Sequence, residues 1–171
     1  RLDTEEANTA VNDWLEDKSS AESVYGPIGG WEFCYGTSFW EFFYGNSDSG
    51  GNDKAQAFNE DISEWATSGV TDMRDMFKDA TSFNSNISKW DTANVTSMWG
   101  MFYTATSFNQ DLSEWDTSDV MDMRSMFHGA KAFNQDLSDW DTTGVTEMDY
   151  MFKNAALFNQ DISGWHTSQV T

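Results

Sequence analysis

Phe83-Asn-Ser-Asn-Ile-Ser-Lys-Trp-Asp-Thr-Ala-Asn-Val-Thr-Ser-Met-Trp-Gly-Met-Phe-Tyr-Thr-Ala-Thr-Ser107 is one of a series of near-copies that fill most of the chain. Phe58, Phe83, Phe108, Phe133 and Phe158, each followed by Asn, recur at a constant interval (83 − 58 = 25). A fixed period of this length is the signature of stacked repeats, in which each unit buries its apolar face only against its neighbours. The opening of the unit, Phe83 to Ser88, reads as a short strand, with Phe83 and Ile87 an even number of residues apart and so on one face. Further along, Val95, Met98, Met101, Phe102 and Ala105 fall at offsets 0, 3, 6, 7 and 10. That spacing is close to the 3.6-residue helical period, and Thr96 is placed to act as an N-cap. Each coil is therefore expected to run strand, turn, helical segment, turn, and the whole to be an α/β repeat solenoid.

Working outward, Ile28-Gly-Gly-Trp31 repeats the spacing of Ile62-Ser-Glu-Trp65, and Phe39, Phe42 and Phe43 stand where Met73, Met76 and Phe77 stand one coil later. Residues 28–57 thus read as a degenerate first coil in which Phe replaces Met. It carries an inserted polar loop, Asn46-Ser-Asp-Ser-Gly-Gly-Asn-Asp53. Ala10, Val11, Trp14 and Leu15 have amphipathic spacing and predict a helix from Thr4 to about Val24, capping the apolar end of the stack. The expected organisation is an N-terminal capping helix and turn (1–27), the degenerate coil (28–57) and regular 25-residue coils (58–171), the last incomplete. A start at Arg1 without Met points to a processed or trimmed chain, and a stop inside a coil at Thr171 to a chain that continues or a fragment.

Composition narrows the function classes. The net charge is −20, with 29 acidic against 9 basic residues, a field that repels nucleic acid and anionic lipid. Aromatic residues make up 16% of the chain, too many for a disordered acidic segment. With Cys34 alone, neither an internal disulfide nor a cysteine-based zinc site can form. No apolar run reaches the roughly 18 residues that span a bilayer.

The run Val-Thr-x-Met-x-x-Met-Phe-x-x-Ala-x-x-Phe-Asn-Gln-Asp-Ile-Ser-x-Trp-Asp, carried by Val120 to Trp140, by Val145 to Trp165 and by the earlier copies, resembles the surface-protein repeat of the BspA-like leucine-rich group. More narrowly, it resembles a 25-residue repeat family of unknown function found in mycoplasma and marine algal proteins. The resemblance covers almost the whole chain and departs from the pattern in the Phe-rich coil 28–57. It implies a leucine-rich-repeat-like solenoid, with one short strand and one short helical segment per coil, in an extracellular or cell-surface protein used for attachment or assembly. It implies no known reaction.

In a stack, each position of the unit becomes a column with rungs about 5 Å apart. Asn59, Asn84, Asn109, Asn134 and Asn159 form one column, read as a structural ladder that satisfies turn backbone. Asp61, Asn86, Asp111, Asp136 and Asp161 form another; stacked carboxylates repel unless a cation, water or donor separates them, and Ca²⁺ is the cation such oxygens would take. Both the EF-hand and the Gly-Gly-x-Gly-x-Asp loop patterns are absent, however, and a solvated or backbone-capping Asp is the expected reading. Thr67, Thr92, Thr117, Thr142 and Thr167 form a third, a candidate ligand stripe or a set of turn caps. Recurrence of the methionines and of Trp65, Trp90, Trp115, Trp140 and Trp165 at core spacing marks them as packing residues. His128 and His166 occupy different coil positions, and no nucleophile elbow, phosphate loop or metal-ligand cluster is present, so no enzyme is expected. The expected role is a non-enzymatic extracellular module for adhesion or for protein or glycan binding. The alternative is a structural subunit whose copies stack into a filament or larger complex.

Overall fold

The computed structural model describes residues 1–46, 48 and 50–171; of the loop 46–53, Ser47 and Ser49 lie outside the described residues. Helix α1 (Thr4–Glu16) is opened by a reciprocal capping box: the Glu6 amide donates to Asp3 Oδ1 (3.0 Å) and the Asp3 amide to Glu6 Oε2 (3.1 Å). Where one helix is expected, the chain forms two. Asp17 is extended (φ −147°), ends α1, and accepts from the Ser20 amide to cap α2 (Lys18–Tyr25). Ala7, Ala10, Val11, Trp14 and Leu15 are the buried face of α1, and Trp14 meets Phe58 edge to face at 5.6 Å. The pair thereby closes one end of the apolar column.

Beyond Tyr25 no α-helix and no strand is formed among the described residues; parallel bridges are isolated, running along Ser38, Asp72, Ser97, Asp122 and Glu147, with two more, Leu2–Phe33 and Glu32–Ala66, near the helical end. The expectation of an α/β leucine-rich-repeat-like solenoid, with a strand and a helical segment in each coil, is overturned. Its apolar offsets arise instead from consecutive three-residue turns. Amides of Met101, Tyr103, Ala105 and Phe108 donate to the carbonyls of Met98, Gly100, Phe102 and Ala105 at 2.9–3.1 Å. Two positions per coil are left-handed: Asp75, Gly100, Ser125 and Tyr150 (φ 50° to 62°), then Asp79, Thr104, Gly129 and Asn154 (φ 51° to 69°). A left-handed residue interrupts an α-helix, and as the third residue of a turn it is what a type II turn requires.

The amides that an α-helix would turn inward go to the next coil. Those of Met98, Gly100, Phe102 and Thr104 donate to the carbonyls of Asp122, Arg124, Met126 and His128 at 2.7–2.9 Å. The same pattern joins the coils on either side. Thr96 caps nothing, its hydroxyl donating to the Thr71 carbonyl at 3.2 Å. Over the expected strand, Phe83 to Ser88, no backbone pair bridges the coils. The Asn109 amide donates instead to the side-chain Oδ1 of Asn84 (2.9 Å).

Three aromatic columns fill the interior. Phe77 lies on Phe83 (3.7 Å, 8°), Phe102 on Phe108 (3.9 Å, 8°) and Phe127 on Phe133 (4.0 Å, 10°), and each such pair stacks on the next at 5.6–6.1 Å. Trp65 and Trp90 are parallel at 5.9 Å, Trp90 and Trp115 at 6.5 Å. Met73, Met76, Met98, Met101, Met123 and Met126 have no exposed surface. Met101→Asp would place an unpaired carboxylate between coils, and urea unfolding should register a loss of about 3–5 kcal/mol; an unchanged midpoint would mean that this column is not a core.

Candidate functional site

Most columns singled out by their regularity are consumed inside the stack. Thr67, Thr92, Thr117 and Thr142 are buried, and their hydroxyls donate to the carbonyls of Asp91, Asp116, Asp141 and His166 at 2.8–3.0 Å. Only Thr167, in the last coil, is exposed among them. Asn59, Asn84, Asn109 and Asn134 each accept the backbone amide of the next Asn (2.7–2.9 Å), so Asn159 ends the series as a donor. Sequence reading passed over their companions, Gln110, Gln135 and Gln160. Each donates its side-chain amide to both oxygens of the preceding rung's Asn, and its recurrence in three consecutive copies was the available signal. The repeated Trp rings likewise each donate Nε1 to the preceding coil's Ile or Leu carbonyl, as Trp115 does to Ile87 (3.1 Å).

The acidic column is exposed but locally engaged. Asp61, Asp111, Asp136 and Asp161 accept the amides of Ser63, Ser113, Ser138 and Ser163 at 2.9–3.0 Å, and Asn86 accepts that of Ser88 in the same way. These bonds, side-chain and backbone, hold the carboxyls of Asp61, Asp136 and Asp161 below their ordinary value. Among the described residues no group of three or more His, Cys, Asp or Glu side chains is placed to hold a metal ion.

The positions that vary between coils build a different surface. One residue after the first Met of the turn segment, the column reads Trp40, Arg74, Trp99, Arg124, Asp149. The Arg74 guanidinium lies over the Trp40 ring at 5.3 Å and that of Arg124 over Trp99 at 5.1 Å. Each arginine is pinned two residues back along its own chain. Arg74 donates Nε and a terminal nitrogen to Asp72 (2.6–3.0 Å), Arg124 does the same to Asp122 (2.7–3.1 Å), and Arg124 also reaches Glu147 at 3.1 Å. Trp40 and Trp99 remain 49% and 40% exposed, beside Met121 at 53%. Unlike the repeated tryptophans, neither donates its indole N–H to a described residue. A shallow groove runs across Thr71, Thr96, Ser97 and Trp99 between the two Asp–Arg pairs.

A second variable column, four residues on, reads Tyr44, Lys78, Tyr103, His128, Lys153. Lys78 Nζ sits 4.7 Å from the Tyr44 ring and 5.6 Å from that of Tyr103. It also pairs at 3.5 Å with Asp75, whose carboxyl burial pushes up.

Residues 49–120 and 110–171 match the family described as Mycoplasma protein of unknown function, DUF285. The chain belongs to this family. The two matches together run unbroken from the inserted loop to Thr171 and take in every regular coil, leaving out the helical cap and most of the Phe-rich first coil. No curated protein and no solved structure matches the chain. Among the described residues no helix is long and apolar enough to cross a membrane.

The Asx bonds set an acid limit on the fold. A carboxyl depressed in the folded state contributes stability above its unfolded value, 3.8 for Asp, and loses it as pH falls through the lower folded value. Asp116 and Asp141, bonded to Ser118 and Thr143, add to the same effect. Thermal melts of the native chain should therefore drop as pH falls below 3.8. Asp136→Asn keeps the acceptor, as Asn86 does, and should flatten that drop; a steeper acid limb in the variant would contradict the assignment.

Proposed function

We propose that the chain is a non-enzymatic recognition module, acting outside the cell in adhesion or in binding a protein or glycan. Its binding face is the stripe Trp40–Arg74–Trp99–Arg124. The observation that carries this reading is the contrast between two sets of tryptophans. Those of the repeat are buried, Trp165 in the last coil partly so, with their N–H groups satisfied; Trp40 and Trp99 are exposed, lie outside the repeat pattern, and are held by arginines that are themselves fixed by carboxylates. Exposed indoles and ordered guanidinium groups are the side chains that concentrate binding energy at interfaces. Pinning them beforehand removes part of the ordering cost of association. The extracellular setting rests on the sequence resemblance of the repeat to surface-protein repeats, and not on the fold. A stack of turns with a rigid interior and one variable face suits recognition better than bond-making chemistry.

Arrays of immobilised glycans and matrix proteins test this directly. The native chain should bind selectively, and the double variant Trp40→Ala/Trp99→Ala should lose that signal by tenfold or more, about 1.4 kcal/mol, while melting within a few degrees of the native chain. Selective binding undiminished in the double variant would move the binding face elsewhere.

A further inference from the structure

We infer that the stripe takes a neutral, extended polysaccharide that runs along the column with its sugar rings against Trp40 and Trp99. This rests on the reading of the stripe as a binding face and names its ligand class. Charge argues first. The chain carries a net charge of −20 and so repels polyanions, and the two arginines of the stripe are already neutralised by Asp72, Asp122 and Glu147. Among the described residues of the stripe no unpaired cation is left to draw a sulfated or phosphorylated ligand, and the occupant is uncharged.

Donor and acceptor types argue next. Between Trp40 and Trp99 along the column lies the planar Asp72–Arg74 pair, and the groove beside Trp99 carries the hydroxyls of Thr71, Thr96 and Ser97 and, one coil further on, the planar Asp122–Arg124 pair. Carboxylate oxygens held in fixed planes, together with hydroxyls, match the vicinal hydroxyls of a sugar, and an indole matches its apolar ring face. The third argument is spacing. Neighbouring coils bonded backbone to backbone stand about 5 Å apart and their ring columns repeat every 5.6–6.5 Å; Trp40 and Trp99 are two coils apart, so the indoles are spaced by roughly 10–13 Å. That is close to the length of a disaccharide unit in an extended β-linked chain, so alternate sugars meet alternate rungs. A protein hot spot gathers at the centre of a patch within a rim; this stripe is linear and periodic, the form that fits a polymer.

Isothermal titration calorimetry with three hexasaccharide probes decides it: β-1,4-glucan, β-1,4-mannan and heparin-derived. The expected result is saturable binding of at least one neutral hexasaccharide, equal at low and high salt, with the matching disaccharide much weaker and heparin inert. Trp99→Ala should weaken the neutral ligand about tenfold and Trp99→Phe much less, both variants keeping the native melting temperature. Binding of heparin alone, or equal affinity in Trp99→Ala, overturns the proposal. So does a failure of both neutral probes. In that last case a photoreactive residue in place of Met121 separates the two readings. A protein crosslinked there overturns the glycan assignment and leaves the recognition face intact, whereas no crosslink removes both.

Discussion

Every coil of this chain leaves backbone amides that only the next coil can satisfy. From Met98 to Thr104, alternate N–H groups point along the column and find carbonyls of the residues 24 positions later. In water such groups are solvated; inside a packed interior an unpaired one is costly. A single coil therefore cannot fold alone, since its Phe and Met side chains and half of its turn amides need the same neighbour. The aromatic columns and the hydrogen bonds are satisfied together or not at all, and this constraint holds the period at 25 without a slip. A one-residue insertion would move Phe102 off Phe127 and Asn109 off Asn134 in the same step.

The limb that lacks backbone pairing shows how side chains take over that task. Asn84 offers its Oδ1 to the next coil's amide in place of a carbonyl, Gln110 returns two bonds to Asn84, and the Trp115 indole N–H takes the Ile87 carbonyl. Each of these side chains is specified by geometry: Asp at the Asn position would accept but could not sit in a stacked column without repulsion. Repetition along the chain is thus mostly a record of bonds between coils.

The repeat, its 25-residue period and the family it marks were legible because they rest on spacing alone. The local conformation was not. Over five apolar positions, turns of three residues and a helix of 3.6 give nearly the same offsets, so Val95 to Ala105 fits both. The discriminating signal is the pair of left-handed positions. One of them carries Asp79, Thr104, Gly129 and Asn154, mostly residues that tolerate that conformation, and was readable; the other includes Ser125 and Tyr150, which disguise it. Phe-Asn-x-Asp-Ile-Ser alternates like a strand for a different reason, since Asn side chains replace the ladder that a strand would make.

The candidate face was hidden for the opposite reason. Trp40, Arg74, Trp99 and Arg124 share a column only after the degenerate coil is put in register, and they break the repeat instead of obeying it. Positions that must serve the neighbouring coil are not free to vary, because each one completes a bond or a ring contact on the next rung. Outward-facing positions carry no such obligation, and in this chain they alone change from Trp to Arg to Asp along one column. Where they nevertheless hold order, with each guanidinium seated on an indole and locked by a carboxylate two residues away, that order serves nothing in the interior. Fixing exposed Arg and Trp side chains costs rotamer entropy that surface ion pairs scarcely repay. These contacts join neighbouring coils only at the surface, Arg74 to Trp40 and Arg124 to both Trp99 and Glu147, and it is that order, held at a cost in rotamer entropy, that marks the column as the candidate face.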